Sequence, residues 1–450
     1  MNSYIQLINH ASVLFGDQDN AILSDPWYSG TAFDDGWSLL YENKRDDIIN
    51  ILKKTTHIWI SHEHPDHFSI KFFNEYYEFI KDKIFLFQET KDKRVLKFLK
   101  AKNLNVIEIK NGEKFQINTN FEIQVEKCDF YDSALIINLN GKKIFNINDC
   151  PLKDKYEISE FRKKYGNCDI LLTQFSYAAW KGGKKNINWR KQAAKEKMDT
   201  LNLQADIFNA KVTIPFASFI YFSNNFNFYL NDSMNQPKKI SDEFFDKNKK
   251  LLFLEPYQKI DLEKLDNIKN NYNFWQNKFS NISKKNIVPI ASEINYESLE
   301  QSFNIYHERL MKKNSKVMLK ILRFIPFISI FDPIVINLID LKTNIYIDIT
   351  SCIFKKTTHD AEISMHSKSM NLIFKQDFGF DTLTVNGCFE ELKTNGFLKL
   401  AKNFSIGNLN NLGIGLNFKS IFNINIFFLF LKKLFFVKKK LNYKLIEEFE

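Results

Sequence analysis

The chain of 450 residues is poor in the residues that mark several protein classes. Its 14 glycines and 9 prolines are too few for a collagenous or low-complexity chain. The five cysteines, Cys128, Cys150, Cys168, Cys352 and Cys388, are odd in number, far apart and never arranged as C-x-x-C. That argues against a disulfide scaffold, and free thiols in a reducing cytoplasm are the expectation. The opening residues, MNSYIQLINHASVLFG, lack a basic segment followed by an apolar one, so no signal peptide is expected. No G-x-G-x-x-G follows a strand and no G-x-x-x-x-G-K-[ST] occurs, which removes the common phosphate-cradling loops. The most apolar stretches lie near 321–339 and 421–437. Arg323 and Asp332 interrupt the first, and asparagines, Lys432 and Lys433 the second. Neither is a clean run of about 20 apolar residues that could cross a bilayer.

Net charge is +10, from 63 Lys and Arg against 53 Asp and Glu, and it is spread along the chain. Such a distribution describes a solvated lysine-rich surface, with attraction to an anionic substrate or membrane as the functional alternative. No zinc finger, helix-turn-helix or RNA-binding motif accompanies it, so no nucleic-acid partner is expected. Hydrophobic residues make up 44%, enough for a large core, and the length suggests two domains. Short apolar runs such as YIQLI, SVLF, NAILS, HIWIS, NVIEI, FEIQVE, ALIINLN and KKIFNIND read as strands, the last two as a hairpin around Asn140-Gly141. Residues 46–54, IKFFNEYYEFI, KDKRVLKFLKAK and WRKQAAKEKMDTLNLQ read as helices. This order implies an α/β sandwich over 1–235, with helices covering two sheets. A polar helical connecting region spans 236–310. In 311–450, NIYIDITSCIFKK, AEISMHSKSMNLIFKQ and TLTVNGCFEE read as strands of an α+β C-terminal domain.

Of eight histidines in the chain, three stand within six positions, in His62-x-His64-x-Asp66-His67. They follow the apolar run IWIS and precede a helical stretch. A strand end is a rigid place from which to aim several ligands into one pocket. Imidazole suits zinc and iron, and a carboxylate adds charge for harder ions. His62 and His64 can reach one ion while Asp66 and His67 turn toward a second, about 3.5–4 Å away. The structural alternative is a solvated loop with Asp66 capping the next helix.

H-x-H-x-D-H after a strand resembles the metallo-β-lactamase fold superfamily. The resemblance implies an αββα sandwich with His62, His64, Asp66 and His67 as metal ligands. It also implies a bridging ligand at the end of a later strand, where IFNINDC offers Asp149. The segments NHASVLF, ILSDPWYSGTAFDDGWSLL, WISHEHPDHFS and TIPFASFIYFS are similar to the metallo-β-lactamase-like part of CMP-N-acetylneuraminate hydroxylases. HAS and DP are also shared with lactonase and phospholipase-D-like branches. The similarity covers roughly residues 4–235.

Two departures from the family pattern stand out. Hydrolytic members carry a further metal-binding histidine before the bridging Asp and another near the last strand, yet no histidine lies between His67 and His307. Asp129 and Asp132 are the candidates to substitute at the first position, Ser218 is the polar side chain near the second, and an altered or degenerate site is the alternative. The hydroxylases also hold a Rieske cluster on Cys-x-His and Cys-x-x-His pairs, and neither spacing occurs here.

The resemblance places His10 near the pocket, as a group orienting a ligand or as an ordinary core histidine. Asp25 is a partner for a metal-bound histidine or a turn residue. Trp27, Tyr28 and Trp37 are candidates for stacking on a sugar or for core packing. Lys181, Gly182, Gly183, Lys184, Lys185 and Arg190 form a loop for an anionic substrate or a solvated one. His307, His359 and His366 read as ordinary residues. The C-terminal half has a faint similarity to sterol-carrier-like domains. Its end, FFLFLKKLFFVKKKLNYK, reads as a packed amphipathic helix, with contact to an anionic membrane surface as the alternative.

The expectation is a cytoplasmic metal-dependent hydrolase with one or two divalent ions, zinc or iron. An ion lowers the pKa of bound water, and Asp66 is the catalytic candidate that positions that water or takes its proton. The resemblance implies a sugar or nucleotide-sugar substrate, sialic-acid-like and anionic. The alternatives are an iron-dependent hydroxylase with an external electron donor and a binding protein with a degenerate site.

Overall fold

The computed structural model describes residues 3–417, except 129–130, 247–248, 266–267, 269, 290–291, 325–329 and 412. Asp129 and the phenylalanine- and lysine-rich C-terminal end therefore lie outside the described residues.

Two seven-stranded sheets form the first half. One runs Lys259–Asp261, Tyr4–Asn9, Ser12–Gly16, Ala21–Ser24, His57–Ile60, Ile84–Gln88, Asn105–Ile109. The other runs Lys250–Leu251, Val212–Phe216, Ile170–Gln174, Lys142–Asn148, Asp132–Leu139, Phe121–Cys128, Lys114–Asn118. Side chains alternate along each strand, so one sheet feeds two cores. Ile5, Leu7, Val13, Phe15, Ile22, Trp59 and Leu86 face the second sheet. Leu14, Leu23, Ile58, Ile60, Phe85 and Phe87 instead meet Ile48, Ile51, Leu52, Phe72 and Phe73 of the helices outside. The helices Lys155–Tyr165 and Ile187–Ile207 cover the other face through Phe145, Phe161 and Phe208. This is an αββα sandwich, the architecture the sequence implies for this half.

Local chemistry explains several elements. Asn140 and Gly141 have φ of 49° and 76°, as a two-residue hairpin turn requires. The helix Arg45–Lys54 starts with Asp46 and Asp47 and ends with Lys53 and Lys54, matching its dipole. His57–Ile60 is buried on both faces and pairs in parallel with both neighbours, which is why it reads as a continuous apolar run.

The second half holds a five-stranded sheet, ordered Ile353–Thr357, Thr343–Asp348, Ile334–Leu338, Ile363–Met365, Phe389–Glu391. Phe303, Phe354, Phe374 and Phe404 fill its interior, with ring centroids 5.4–6.2 Å apart. Two of the expected strands are largely helical. AEISMHSKSMNLIFKQ gives a short strand and then the helix Ser367–Lys375, capped by His366, whose Nδ1 accepts from Lys368 N. TLTVN belongs to the helix Gly379–Asn386. Its β-branched residues favour a strand locally, and packing overrides that preference.

The helix Gly379–Asn386 docks on the sandwich at both ends. At its start the Phe378 ring lies 4.4 Å from the Arg94 guanidinium and edge-on to Tyr131 at 5.3 Å. At its end Asn386 donates to Phe33 O, and its own carbonyl accepts from Asn227. A Cβ at Gly36 would stand 2.4 Å from Asn386 Cβ, so glycine there permits the close approach. No helix among the described residues is long and apolar enough to cross a membrane.

Candidate metal centre

The histidine motif leaves the C-terminal end of the interior strand His57–Ile60 and curls before the helix Ile70–Glu75. Ser69, not Asp66, caps that helix by accepting from Phe72 N. Asp66 is thereby freed to point inward. The loop closes through His67 N and Phe68 N, which both donate to His64 O. Ser133 and Gln88 donate to Ser61 O, tying the loop to the second sheet and to the neighbouring strand.

Two groups of ligand-type side chains converge. In the first, Asp66 Oδ2 lies 3.2 Å from His10 Nε2 and 3.1 Å from His67 Nε2, and all three residues are buried. The second comprises His62, His64 and Asp149, with His62 Nε2 2.9 Å from His64 Nδ1. Asp149 Oδ1 is 3.5 Å from His67 Nε2 and so stands between the groups. Asp132 Oδ1 approaches His62 Nε2 to 3.7 Å. Ligand atoms about 2.1 Å from one tetrahedral ion lie roughly 3.4 Å apart. Most of these separations sit near that edge length.

Asp25 organises the ring from behind, fully buried. Its carboxylate accepts from Ser61 N, Ser61 Oγ, His67 Nδ1 and Asn148 Nδ2, at 2.6–3.1 Å. Ser61 gives its proton to Asp25, so its oxygen accepts from His62 Nδ1 at 2.9 Å. His62 and His67 therefore keep Nδ1 protonated outward and turn Nε2 into the cluster. His10, Asp25 and Asn148 all hold positive φ, 30°, 37° and 52°. Three non-glycine residues in that sparse region at one site mark a locally strained pocket.

Burial and mutual charge move these groups strongly. Burial, with His67 and His64 beside it, holds His62 well below the ordinary imidazole range. Burial opposes protonation of His67, yet Asp66, Asp149 and Asp25 push it well above that range. His64 is raised to about 9, because Asp381 outweighs the effect of burial. Burial would raise Asp149, but His67 brings it to about 2. Asp66 is driven well below the usual carboxylate range by His67 and His10, against burial. Carboxylates held ionised around imidazoles are the charge pattern a cation needs.

The donor set fits a metal on a further ground. Asp66 Oδ1 and His10 Nδ1 are buried without a hydrogen-bond partner, and His67 Nε2 faces only the carboxylates of Asp66 and Asp149. Buried polar atoms are rarely left so. Buried imidazoles and carboxylates whose ligand atoms lie within 4.8 Å of one another suit a resident cation.

The structure thus brings together His62, His64, Asp66, His67 and Asp149, with His10, Asp25 and Asp132. Ser218 stays apart, its Oγ accepting from Phe175 N and Ser176 N. Trp27, Tyr28 and Trp37 are buried, and their rings pack on His10, Phe72 and Phe33. Arg190, 1% exposed, pairs with Asp232 at 2.6 Å and binds the Gly182 and Gly183 carbonyls. Lys184 N donates to Glu390, so that loop joins the two halves. Sequence reasoning missed Asp381, whose Oδ2 lies 3.6 Å from His64 Nε2. A cleft of about 330 Å³ opens beside His64 between the halves, walled by Phe68, Phe98, Tyr131, Phe378 and Arg94.

No family model matches the chain. It is 26% identical over 231 residues to cytidine monophosphate-N-acetylneuraminic acid hydroxylase of Xenopus laevis, a match covering 48% of this chain and 38% of that protein. It is 26% identical over 258 residues to the inactive human counterpart (Homo sapiens), covering 53% and 50%. The matches thus span half or less of the length of these two relatives. Among solved structures, the CmlA β-hydroxylase E377D mutant superposes with a TM-score of 0.43 at 12% identity, over 58% of this chain and 54% of that one. Igni18, a metallo hydrolase from Ignicoccus hospitalis, superposes with a TM-score of 0.40 at 14% identity, over 58% and 98%. These structural likenesses are remote.

Proposed function

We propose that the protein is a metal-dependent hydrolase with two neighbouring cation sites. His10, Asp66 and His67 hold the inner ion, and His62 and His64 hold the outer one. Asp149 lies between them and Asp132 supplements the outer set. When bound, such ions act as Lewis acids and lower the pKa of water toward neutrality.

The chain's own groups do the rest. Asp66 Oδ2 is engaged by His10 and His67, while Oδ1 is left free to orient water and accept its proton. Asp149 is held by the Gln174 amide, which Lys197 engages in turn. The cleft beside His64 offers aromatic walls, with Arg94 and the carboxylates of Glu63, Asp377 and Asp381 around them, and the aromatic walls suit a sugar or base face. Similarity to the hydroxylases supports a sugar or nucleotide-sugar substrate, sialic-acid-like and anionic. Five free cysteines fit a reducing, cytoplasmic setting.

The observation that carries this reading is the convergence of two groups of ligand-type side chains, His10, Asp66 and His67 beside His62, His64 and Asp149, with ligand atoms within 4.8 Å of one another in each. The test is elemental analysis of the purified chain together with hydrolysis of acyl and phosphoryl sugar esters. Stoichiometric metal lost on His62→Ala and His67→Ala, with hydrolysis lost alongside, is expected. A metal-free native protein would sink the assignment.

One observation favours a second reading, an iron-dependent hydroxylase with an external electron donor. Asp66, Asp132 and Asp149 make the donor set rich in carboxylates, which suit harder ions than an all-histidine set does. Bound iron, oxygen uptake that depends on added reductant, and no hydrolysis under nitrogen would move the assignment there.

A further inference from the structure

His62 and His67 each have an orienting partner from the sandwich itself, Ser61 and Asp25. His64 is different. Its Nδ1 faces His62 Nε2 at 2.9 Å and so takes the inward place, leaving Nε2 to point away from the cluster. The carboxylate at that outward nitrogen belongs to the other half of the chain. Asp381 Oδ2 lies 3.6 Å from His64 Nε2, a gap that a small rotation of either side chain closes to a hydrogen bond.

The element that carries Asp381 is firmly placed. Asp381 sits in the first turn of the helix Gly379–Asn386, where the helix dipole favours an anion. Just before it, Phe378 takes a left-handed backbone with φ of 56° and lays its ring against Arg94. Arg94 is itself held by Glu63 and Asp92, each at 2.7 Å. Trp180 N donates to Thr384 O, and the Asn386 contacts with Phe33 and Asn227 fasten the far end. Anchors on both sides hold the backbone of Asp381 beside His64, with its side chain bordering the cleft.

We propose that Asp381 is the positioning carboxylate of the metal ligand His64, so that the C-terminal half completes a metal centre built on the sandwich. The proposal rests on the reading of His64 as a ligand. A carboxylate on the outward N–H of a ligating imidazole fixes its tautomer and ring orientation and raises its basicity, and losing one typically weakens metal binding about 10–100-fold.

The test uses the full chain loaded with cobalt(II), as wild type, Asp381→Asn and Asp381→Glu. Competition with a chelator gives the affinity of each ion, and the visible cobalt bands report coordination. The expected result is two ions in the wild type. In Asp381→Asn the outer one should be at least ten-fold weaker with shifted bands, the inner one unchanged, and the metal-free protein should lose no more stability than His64→Gln does. Asp381→Glu should recover part of the affinity. Equal affinity and identical bands in wild type and Asp381→Asn would overturn the proposal while leaving the proposed function intact. A matched loss of metal-free stability that Asp381→Glu does not recover would assign the residue to docking and likewise overturn it. Failure of the wild type to bind cobalt would instead strike the proposed function itself.

Discussion

The two ligand groups share one loop yet live in different surroundings. The inner group, His10, Asp66 and His67, is sealed and backed by Asp25. The outer group reaches the cleft: the His64 side chain is 29% exposed, and its outward neighbour comes from the far half of the sequence. Enclosure suits a site that retains its ion, whereas the open site suits contact with substrate. The difference teaches that one short motif can serve both tasks when its residues alternate between a packed wall and a groove.

The comparison can be broken most directly at Asp66. Asp66→Asn should still fold but lose about 3 kcal/mol in the metal-free protein, because His10 and His67 lose their buried anion, while turnover falls about 10³-fold, near the middle of the range for a lost proton acceptor. Unchanged turnover would remove Asp66 from the chemistry. Next comes an asymmetry of metal content. His67→Ala should abolish inner binding and weaken the outer ion through the loss of its neighbour, whereas His64→Ala should release only the outer ion, with affinity down roughly 100-fold or more. Elemental analysis giving the same count for both variants would erase the distinction.

Asp25→Asn probes the backing. It sets an amide among four donors in a buried pocket, and denaturant melts of the metal-free protein should show a loss of about 3 kcal/mol. A pH series sharpens the outer group. In the metal-free protein the raised pKa of His64 stabilises the fold fully below its ordinary value near 6.5. That contribution fades as pH rises through about 9. His64→Gln should therefore flatten the fall in stability between these limits, on the order of 1 kcal/mol once solvent screening is counted. An unaltered slope would refute the assignment. The smallest effect is expected from Lys368→Ala, which removes a partly exposed ion pair with Asp34 and Asp35. It should cost about 0.5 kcal/mol and leave the metal affinities unchanged.

Legibility from sequence followed distance along the chain. His62, His64, Asp66 and His67 lie in one loop after a buried strand, so spacing alone gathers them, whereas Asp149 follows from the resemblance. Asp381 stands more than 300 residues away in a segment whose Thr and Val content suggests a strand, and no local signal links it to His64. His10 was half legible: its place beside the pocket followed from the resemblance, but its contact with Asp66 needed the left-handed backbone that turns it inward. The helix Ser367–Lys375 was misread because burial of Met370, Leu372, Ile373 and Phe374 gives it a run of apolar residues without clean periodicity.

The last strands of the sandwich also bear on how the chain can be divided. Lys250–Leu251 and Lys259–Asp261 each close one margin of a sheet. A fragment stopped at residue 235 would leave Val212–Phe216 and Tyr4–Asn9 with bare backbone amides and carbonyls along their flanks, an invitation to self-association between copies. Expression of such a fragment should yield aggregates, and a piece carried through Leu262 should be the more tractable one to make.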